Sequence, residues 1–303
     1  MAGLKELRTR LNAVRSTEKI TTAMKLVATS KLKKATVALE KNKLYANLIE
    51  NAVARVLLEY RKQEENKKIK HILPRLFYTK PNPQNYLLIV FSSERGLCGS
   101  YNQNVAKRAA NRFRELKKNG KSVKMICYGK KAYDILKKNH KNDILYHEAS
   151  FAGGGIFYDE AVQMLNKAKD LSSDKQFDVC EIVFSRFVSA LQRELISMQI
   201  YPLDAGQIKT ADDLDHIGEA YFDYKTSKEE VLEKASEKLL VNRVFAAMLN
   251  AEASEQSARM TAMDNATQNA ADMIETLTLK YNTLRQSAIT TELTEIISGA
   301  EAI

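Results

Sequence analysis

A chain of 303 residues with 45% hydrophobic and 28% charged side chains has room for one large domain or two modest ones, and enough apolar material for a true core. No run approaches the ~20 apolar residues a membrane-spanning helix needs, and Met1 to Arg15, with Glu6 among its basic residues, lacks the apolar core of a secretory signal, so the chain is expected to stay where it is made. The formal charge of +10 is unevenly placed: Met1–Lys43 holds eleven Lys or Arg against three acids and Glu219–Ile303 eight against fourteen, unlike the single basic face of a nucleic-acid binder.

Gly and Pro divide the chain into three. Neither occurs between Leu4 and Leu73 or between Glu219 and Ser298, while all four prolines and nine of the eleven glycines lie in 74–218. The first segment is predicted to be one helix to about Tyr60. Leu4, Leu7, Leu11 and Val14 share a face; Ile20, Met24 and Val27 carry it on with a drift, and Leu44, Leu48, Val53, Val56 and Leu57 extend it. Such a drift suits a gently wound pair better than a strict heptad zipper.

The middle alternates strand and helix, which implies a largely parallel sheet. Tyr86–Phe91 is a buried strand by its continuous apolar run. Asn104–Lys118 is an amphipathic helix, Val123–Tyr128 a strand and Lys130–Lys138 a short helix. Asp143–Tyr146 is a weak strand, Asp159–Leu171 a helix, Asp178–Phe184 a strand, and Glu194–Pro202 a further strand. The last segment is helical again: Leu277, Tyr281, Leu284 and Ala288 repeat at four, three and four, and Ala258, Ala262, Ala266 and Ala270 recur at four. Small side chains admit a close partner, and the basic first segment is the complementary one, lying antiparallel. Exposed ion pairs would contribute only ~0.3–0.5 kcal/mol each, so the apolar seam should carry the pairing.

The constellations that might carry chemistry are weak. The loop Ser92–Asn102 places Gly96 and Gly99 between a strand and a helix, but without the spacing of a dinucleotide fingerprint or a Gly-Lys-Ser/Thr ending, so a turn needing backbone freedom is expected. Gly153–Gly155 is expected to be a connector. His71, His140, His147 and His216 are scattered with no nucleophile beside them. Asp212, Asp213 and Asp215 offer too few regularly spaced ligands for calcium. Cys98, Cys127 and Cys180 have neither metal nor disulfide spacing and read as free thiols. No catalytic, cofactor or metal site is expected, which argues for a mechanical or scaffolding role.

Three stretches carry a resemblance. Residues 257–270 (Ser-Ala-Arg-Met-Thr-Ala-Met-Asp-Asn-Ala-Thr-Gln-Asn-Ala), 279–286 and 289–302 resemble the C-terminal signature of the F-type ATP synthase γ subunits. Leu4–Arg8 with Ser16–Leu32, and the loop Arg95–Gly99, look like the same family. The resemblance implies a fold: an antiparallel coiled coil of both termini with a Rossmann-like α/β domain inserted, divided as 1–73, 74–205 and 206–303. It implies a role too, a non-catalytic rotor shaft inside a ring of α and β subunits, resting on the ε subunit and the membrane c-ring and coupling proton-driven rotation to ATP synthesis. No cofactor is implied.

By the same resemblance, Met24, Lys25, Arg259, Arg285, Gln286, Thr290 and Glu292 would meet α and β, with Lys19, Lys31, Lys33 and Lys34 facing acidic β loops. Ile296, Ile297, Ala300, Ala302 and Ile303 would form an apolar bearing at the tip. Phe222, Tyr224 and Lys225 stand where the family often has Tyr-x-Tyr-Glu-Pro, and would meet ε and the ring. A bacterial form at the cytoplasmic face of the inner membrane is implied, peripheral to it; no cysteine-bearing insertion of the plastid kind is present. Two alternatives stay open on the residues: a basic coiled-coil binder of nucleic acid, and a nucleotide-binding enzyme built on 74–205.

Overall fold

The structure, a computed structural model, describes residues 2–67, 73–149, 156–172, 177–206, 208 and 227–301. Helix α1 runs Ala2–Lys67. Strand β1 (Asn85–Phe91), helix α2 (Tyr101–Lys118), strand β2 (Ser122–Tyr128), helix α3 (Lys130–His140) and strand β3 (Ile144–Glu148) follow. Helix α4 (Tyr158–Ser172), strands β4 (Val179–Phe187) and β5 (Arg193–Tyr201) and helix α5 (Lys228–Glu301) complete the chain. Every predicted element of the middle is present, the weak third strand shifted toward Glu148. The first helix continues past Tyr60 because nothing in the sequence stops it there.

The chain forms two compact units: Met1–Ser30 with Leu97–Gly99 and Arg259–Ile303, and Lys31–Gly96 with Ser100–Ala258. The second holds the sheet, in the order β3-β2-β1-β4-β5, with β5 antiparallel on the edge and all other pairs parallel. Leu87, Ile89 and Phe91 of β1, with Ile126, Ile182 and Phe184, pack on Ala161, Met164 and Leu165 of α4 and on Leu240, Val244, Ala247, Met248 and Ala251 of α5. The alternate set, Leu88, Val90, Met125 and Val183, is buried too, on the side where α2 and α3 touch the strands. Burial on both faces is why β1 reads as an unbroken apolar run from Tyr86 and β4 as a run interrupted between Val179 and Phe184 only by Glu181.

Within the same unit α5 has a second apolar face. Leu232 and Leu239 join Val53, Val56, Leu57 and Tyr60 of α1 in a separate cluster with Phe77, Leu203 and Ile208. Each large side chain withdrawn from water here contributes roughly 1.5–3 kcal/mol. This stretch of α5 therefore lies between the sheet and α1, and must be apolar on two sides.

In α1 the buried positions differ from the predicted stripe. Leu11, Thr21 and Ala28 in the first unit, and Leu32, Ala35, Leu39, Asn42, Ile49, Val53, Val56 and Tyr60 in the second, are buried. Together with half-buried Val14, Glu18, Lys25 and Ala46 they alternate strictly by three and four. This is a heptad seam, not a drifting face. Ile20, Val27, Leu44 and Leu48 point outward instead, Leu44 being 71% exposed. The predicted stripe holds at both ends of the helix, through Leu4, Leu7, Leu11 and Val14 and through Val53, Val56 and Leu57; between them Thr, Ala and Asn take seam positions where large apolar residues were expected.

Candidate functional site

The first unit is a helix pair with a short loop. The Thr21 and Thr267 hydroxyls lie 2.8 Å apart, and Lys25 Nζ donates to Asp264 Oδ1 at 2.6 Å. Both pairs join α1 to α5 running antiparallel. Counting outward from Thr21 and Thr267, Leu4 falls opposite Leu284 and Ala2 opposite Gln286. Leu11 and Leu277 are both buried on this seam. Beyond Gln286 no residue of α1 stands opposite α5, and every side chain from Thr291 to Ser298 is exposed.

Among the described residues no other helix accompanies Ser287–Glu301, a stretch about 22 Å long at 1.5 Å per residue. Its surface carries Ile289, Leu293, Ile296 and Ile297, half or more exposed apart from Ile289 at 49%. Glu292, Glu295 and Glu301 are its only charged side chains. Helices of this length are marginal alone in water, and an outward apolar surface of this kind is what a buried partner contact requires.

The expected contact residues separate into groups. Met24 and Lys25 are half-buried beside the seam, and Lys25 is committed to Asp264. Arg259 is half-buried at the other end of the unit. Arg285, Gln286, Thr290 and Glu292 are exposed on α5, with Thr290 Oγ1 donating to the Gln286 carbonyl at 3.0 Å. Helical spacing aligns Arg285, Ile289, Glu292 and Ile296 in one row and Gln286, Thr290, Leu293 and Ile297 in the next. Ile296, Ile297 and Ala300 are exposed on the lone helix. Ala302, Ile303, Phe222, Tyr224 and Lys225 lie outside the described residues.

The complementary charge of the two terminal segments is used sparingly. Between the helices Lys25 meets Asp264, as the overall polarity suggests, but Lys228 of α5 meets Glu59 of α1 with the polarity reversed. The predicted basic-to-acidic match is therefore a property of the surface more than of the seam. Asp264 and the small seam residues were missed because the pattern of large apolar residues gives no weight to Thr, Ala and Lys; testing each residue class against a strict heptad would have found them.

In the loop after β1 both donors of Ser93 are engaged within the loop and by the start of α2. The Ser93 N–H donates to Asn102 Oδ1 at 3.0 Å, and the Ser93 hydroxyl donates to the Arg95 carbonyl at 2.7 Å. The left-handed conformations fall at Leu97 and Gly99, with φ of 62° and 56°; Gly96, expected to need that freedom, does not. Gly129 sits at φ 100°, where a Cβ would come within 2.2 Å of the Ser92 carbonyl oxygen. That close approach, invisible in the sequence, fixes β1 against the start of α3.

Titratable groups in the second unit are shifted by burial. Burial pushes the Cys127 thiol up to about 12 and raises Cys180 as well; neither these two nor buried Cys98 is in a disulfide. Burial also raises Glu252, helped by Glu255 and opposed by Lys31, and lowers Arg243 against the pull of Glu50 and Asp204. His147 stacks on Tyr133 with centroids 3.8 Å apart, and His140 leans on Phe113. Among the described residues no three His, Cys, Asp or Glu side chains are grouped to hold a metal ion. His71, His216, Gly153–Gly155 and the Asp212–Asp215 cluster are outside the described residues. No helix among those described is long and apolar enough to cross a membrane.

A family model described as ATP synthase matches residues 3–303. The ATP synthase gamma chain of Paramagnetospirillum magneticum is 35% identical over 303 residues, covering 100% of both chains. That of Rhodospirillum rubrum is 38% identical over 307 residues, again covering 100% of both. Among solved structures, the central stalk and c-ring of Tetrahymena thermophila mitochondrial ATP synthase contains a chain with a TM-score of 0.57 at 23% identity, covering 82% of this chain and 99% of that one. A chain in the rotor of Euglena gracilis mitochondrial ATP synthase gives a TM-score of 0.52 at 18% identity, with 86% and 99% covered. At these identities the structural likeness speaks to the fold alone.

Proposed function

Because this chain belongs to the ATP synthase family and matches its gamma chains from end to end, we propose how its surfaces serve the central stalk. It is the non-catalytic rotor shaft, coupling rotation of the membrane c-ring to the conformational changes that make ATP at the catalytic β subunits. The observation that supports a shaft acting inside a sleeve is the lone helix past Gln286. It presents Ile296 and Ile297 to its surroundings with few charges, so it can slide against an apolar collar without breaking ion pairs.

Arg285, Gln286, Thr290 and Glu292, at the start of that helix, are the polar groups placed to catch and release the α and β subunits. Lys25, paired with Asp264, exchanges that partner for an acidic β loop as the shaft turns. Met24 and Arg259 support the same surface, and Ile303 extends the bearing. Segments 1–73 and 206–303 form the coiled coil around an inserted 74–205 domain, and Phe222, Tyr224 and Lys225 serve the base, against the ε subunit and the c-ring. The assembly sits at the cytoplasmic face of a bacterial inner membrane, this subunit being peripheral. The nucleic-acid reading gains no support from the family.

The test is ATP hydrolysis by cognate α and β subunits with and without this chain. The chain alone hydrolyses nothing, and a stable ATPase appears only when all three are present. An activity indifferent to the chain would overturn the reading. With both Arg259 and Gln286 replaced by Ala, proton-linked synthesis falls more than thermal stability does; unchanged synthesis would remove these residues from the coupling surface.

A further inference from the structure

In a sheet ordered β3-β2-β1-β4-β5, the strand order reverses between β1 and β4. The carboxyl ends of those two strands form the crevice in which open α/β sheets bind ligands. Here the crevice is occupied by the chain itself. Pairing of β1 with β4 ends at Val90 and Val183, yet β4 continues to Phe187. Ser185 and Phe187 are two residues apart, so their backbone groups share the edge that β1 has vacated.

Both groups are taken by α5. The Ser254 hydroxyl donates to the Ser185 carbonyl at 2.8 Å, and the Phe187 N–H donates to Asn250 Oδ1 at 3.2 Å. One turn on, the Ser257 hydroxyl donates to the Ala190 carbonyl at 2.6 Å and accepts from Arg193 Nη1 at 3.0 Å. On α2, the Tyr101 hydroxyl donates to the Ala251 carbonyl of the same helix at 3.1 Å. Asn250, Ser254 and Ser257 stand at i, i+4 and i+7, one face of the helix. Ser254 and Ser257 are fully buried.

We infer that Asn250, Ser254 and Ser257 are a torque clamp, the joint through which rotation of the α/β domain is passed to the shaft helix. The remaining contact between α5 and the sheet is made by Leu240, Val244, Ala247 and Met248. The hydrophobic effect is non-directional, so the rotation and register of a helix on a sheet are set by interlocking side-chain shape and by directional bonds. Hydrogen bonds to strand backbone are directional and weaken steeply when misaligned. The clamp adds directional bonds where β4 runs on past β1, and its partners are main-chain atoms of β4 and of the β4–β5 turn, with the guanidinium of Arg193, the first residue of β5, as a side-chain partner. These are positioning residues for the coupling reaction, and the inference rests on the shaft reading.

The test uses the complete reconstituted complex, with the chain unchanged, as Asn250→Ala, and as the triple change Asn250→Ala, Ser254→Ala and Ser257→Ala. A bead is attached through cysteine at Lys118, exposed on α2, which is selective because Cys98, Cys127 and Cys180 are buried. Unloaded ATP hydrolysis should stay near the unchanged value while stall torque and protons pumped per ATP fall, by roughly half or more in the triple variant. Asn250→Asp, which keeps the acceptor for the Phe187 N–H, should restore the Asn250→Ala loss. Stall torque equal to that of the unchanged chain, or failure of Asn250→Asp to restore it, overturns the clamp. If the triple variant does not fold, Asn250→Ala at its half-buried position decides alone. Failure of the unchanged chain to activate α and β would instead overturn the shaft reading, a separate outcome.

Discussion

Asp178 shows how far one carboxylate can hold this sheet. It precedes β4 with its side chain 3% exposed. Its Oδ2 accepts the N–H groups of Gln84 at 2.7 Å and Asn85 at 3.0 Å, and Oδ1 meets Lys80 Nζ at 2.6 Å. Its own N–H donates to the Asn85 carbonyl at 2.8 Å, so this residue joins the first residues of β1 and β4. Replacing Asp178 with Ala leaves two backbone donors without their charged acceptor. At ~1.5–3 kcal/mol for each bond to a charged group, the loss should be roughly 3–6 kcal/mol. Asp178→Asn keeps one carbonyl for the two donors but turns its amide toward the Lys80 ammonium, and should lose about half as much. Lys80→Ala should cost least, because the ammonium is half in water.

The pH dependence has a definite sign. Burial pulls the Asp178 carboxyl upward, but Lys80 and the two backbone N–H groups outweigh it and hold the group below its ordinary value of 3.8. Its contribution is complete above pH 3.8 and is lost as pH falls through the lower folded value. Guanidinium unfolding followed by tyrosine fluorescence, in a chain with no Trp, measures all three variants. A Lys80→Ala loss as large as that of Asp178→Ala would refute the reasoning, since it would place the energy in the ion pair and not in the backbone bonds.

Glu252 runs the other way: burial raises its carboxyl above 4.5, so the folded state holds the proton more tightly and stability falls as pH rises through the raised value. Glu252→Gln should therefore raise the unfolding midpoint at pH 8, with the gain gone below pH 4.5; a gain that persists in acid would point to packing instead. Gly129→Ala forces a side chain to φ 100° and a Cβ to 2.2 Å from the Ser92 oxygen, and should cost upwards of ~3 kcal/mol in the same unfolding assay. Ending the chain at Gln286 removes an almost wholly exposed helix, so the melting midpoint should hold within ~0.5 kcal/mol while ATP synthesis by the assembled complex drops. A large loss of stability on truncation would mean that the last turns pack on this chain itself.

The architecture was legible because breakers are decisive: two long segments without Gly or Pro had to be helices, and the apolar runs around Ile89 and Ile182 had to be buried strands. The contact residues proposed on α5 rest on the resemblance, with no physical signal marking Gln286 or Thr290 in one sequence. The seam was misread for a physical reason. Burial in a tight helix pair selects side chains that fit the gap, so Thr21, Ala28 and Ala35 displaced the larger Ile20 and Val27. Asn250, Ser254 and Ser257 were illegible because all but one of the partners named for them, the Arg193 guanidinium, are backbone groups, and main-chain groups left over at a strand end have no sequence pattern.

The lone stretch past Gln286 has a mechanical consequence. Bending stiffness rises with the square of the distance of material from the neutral axis, so two helices locked by a seam resist flexure by more than twice what one does. The paired part of α5 behaves as a stiff beam and its final four turns or so as a thin whip at the end of it. Lateral wobble imposed at that end is absorbed by elastic deflection there and is not transmitted down the beam.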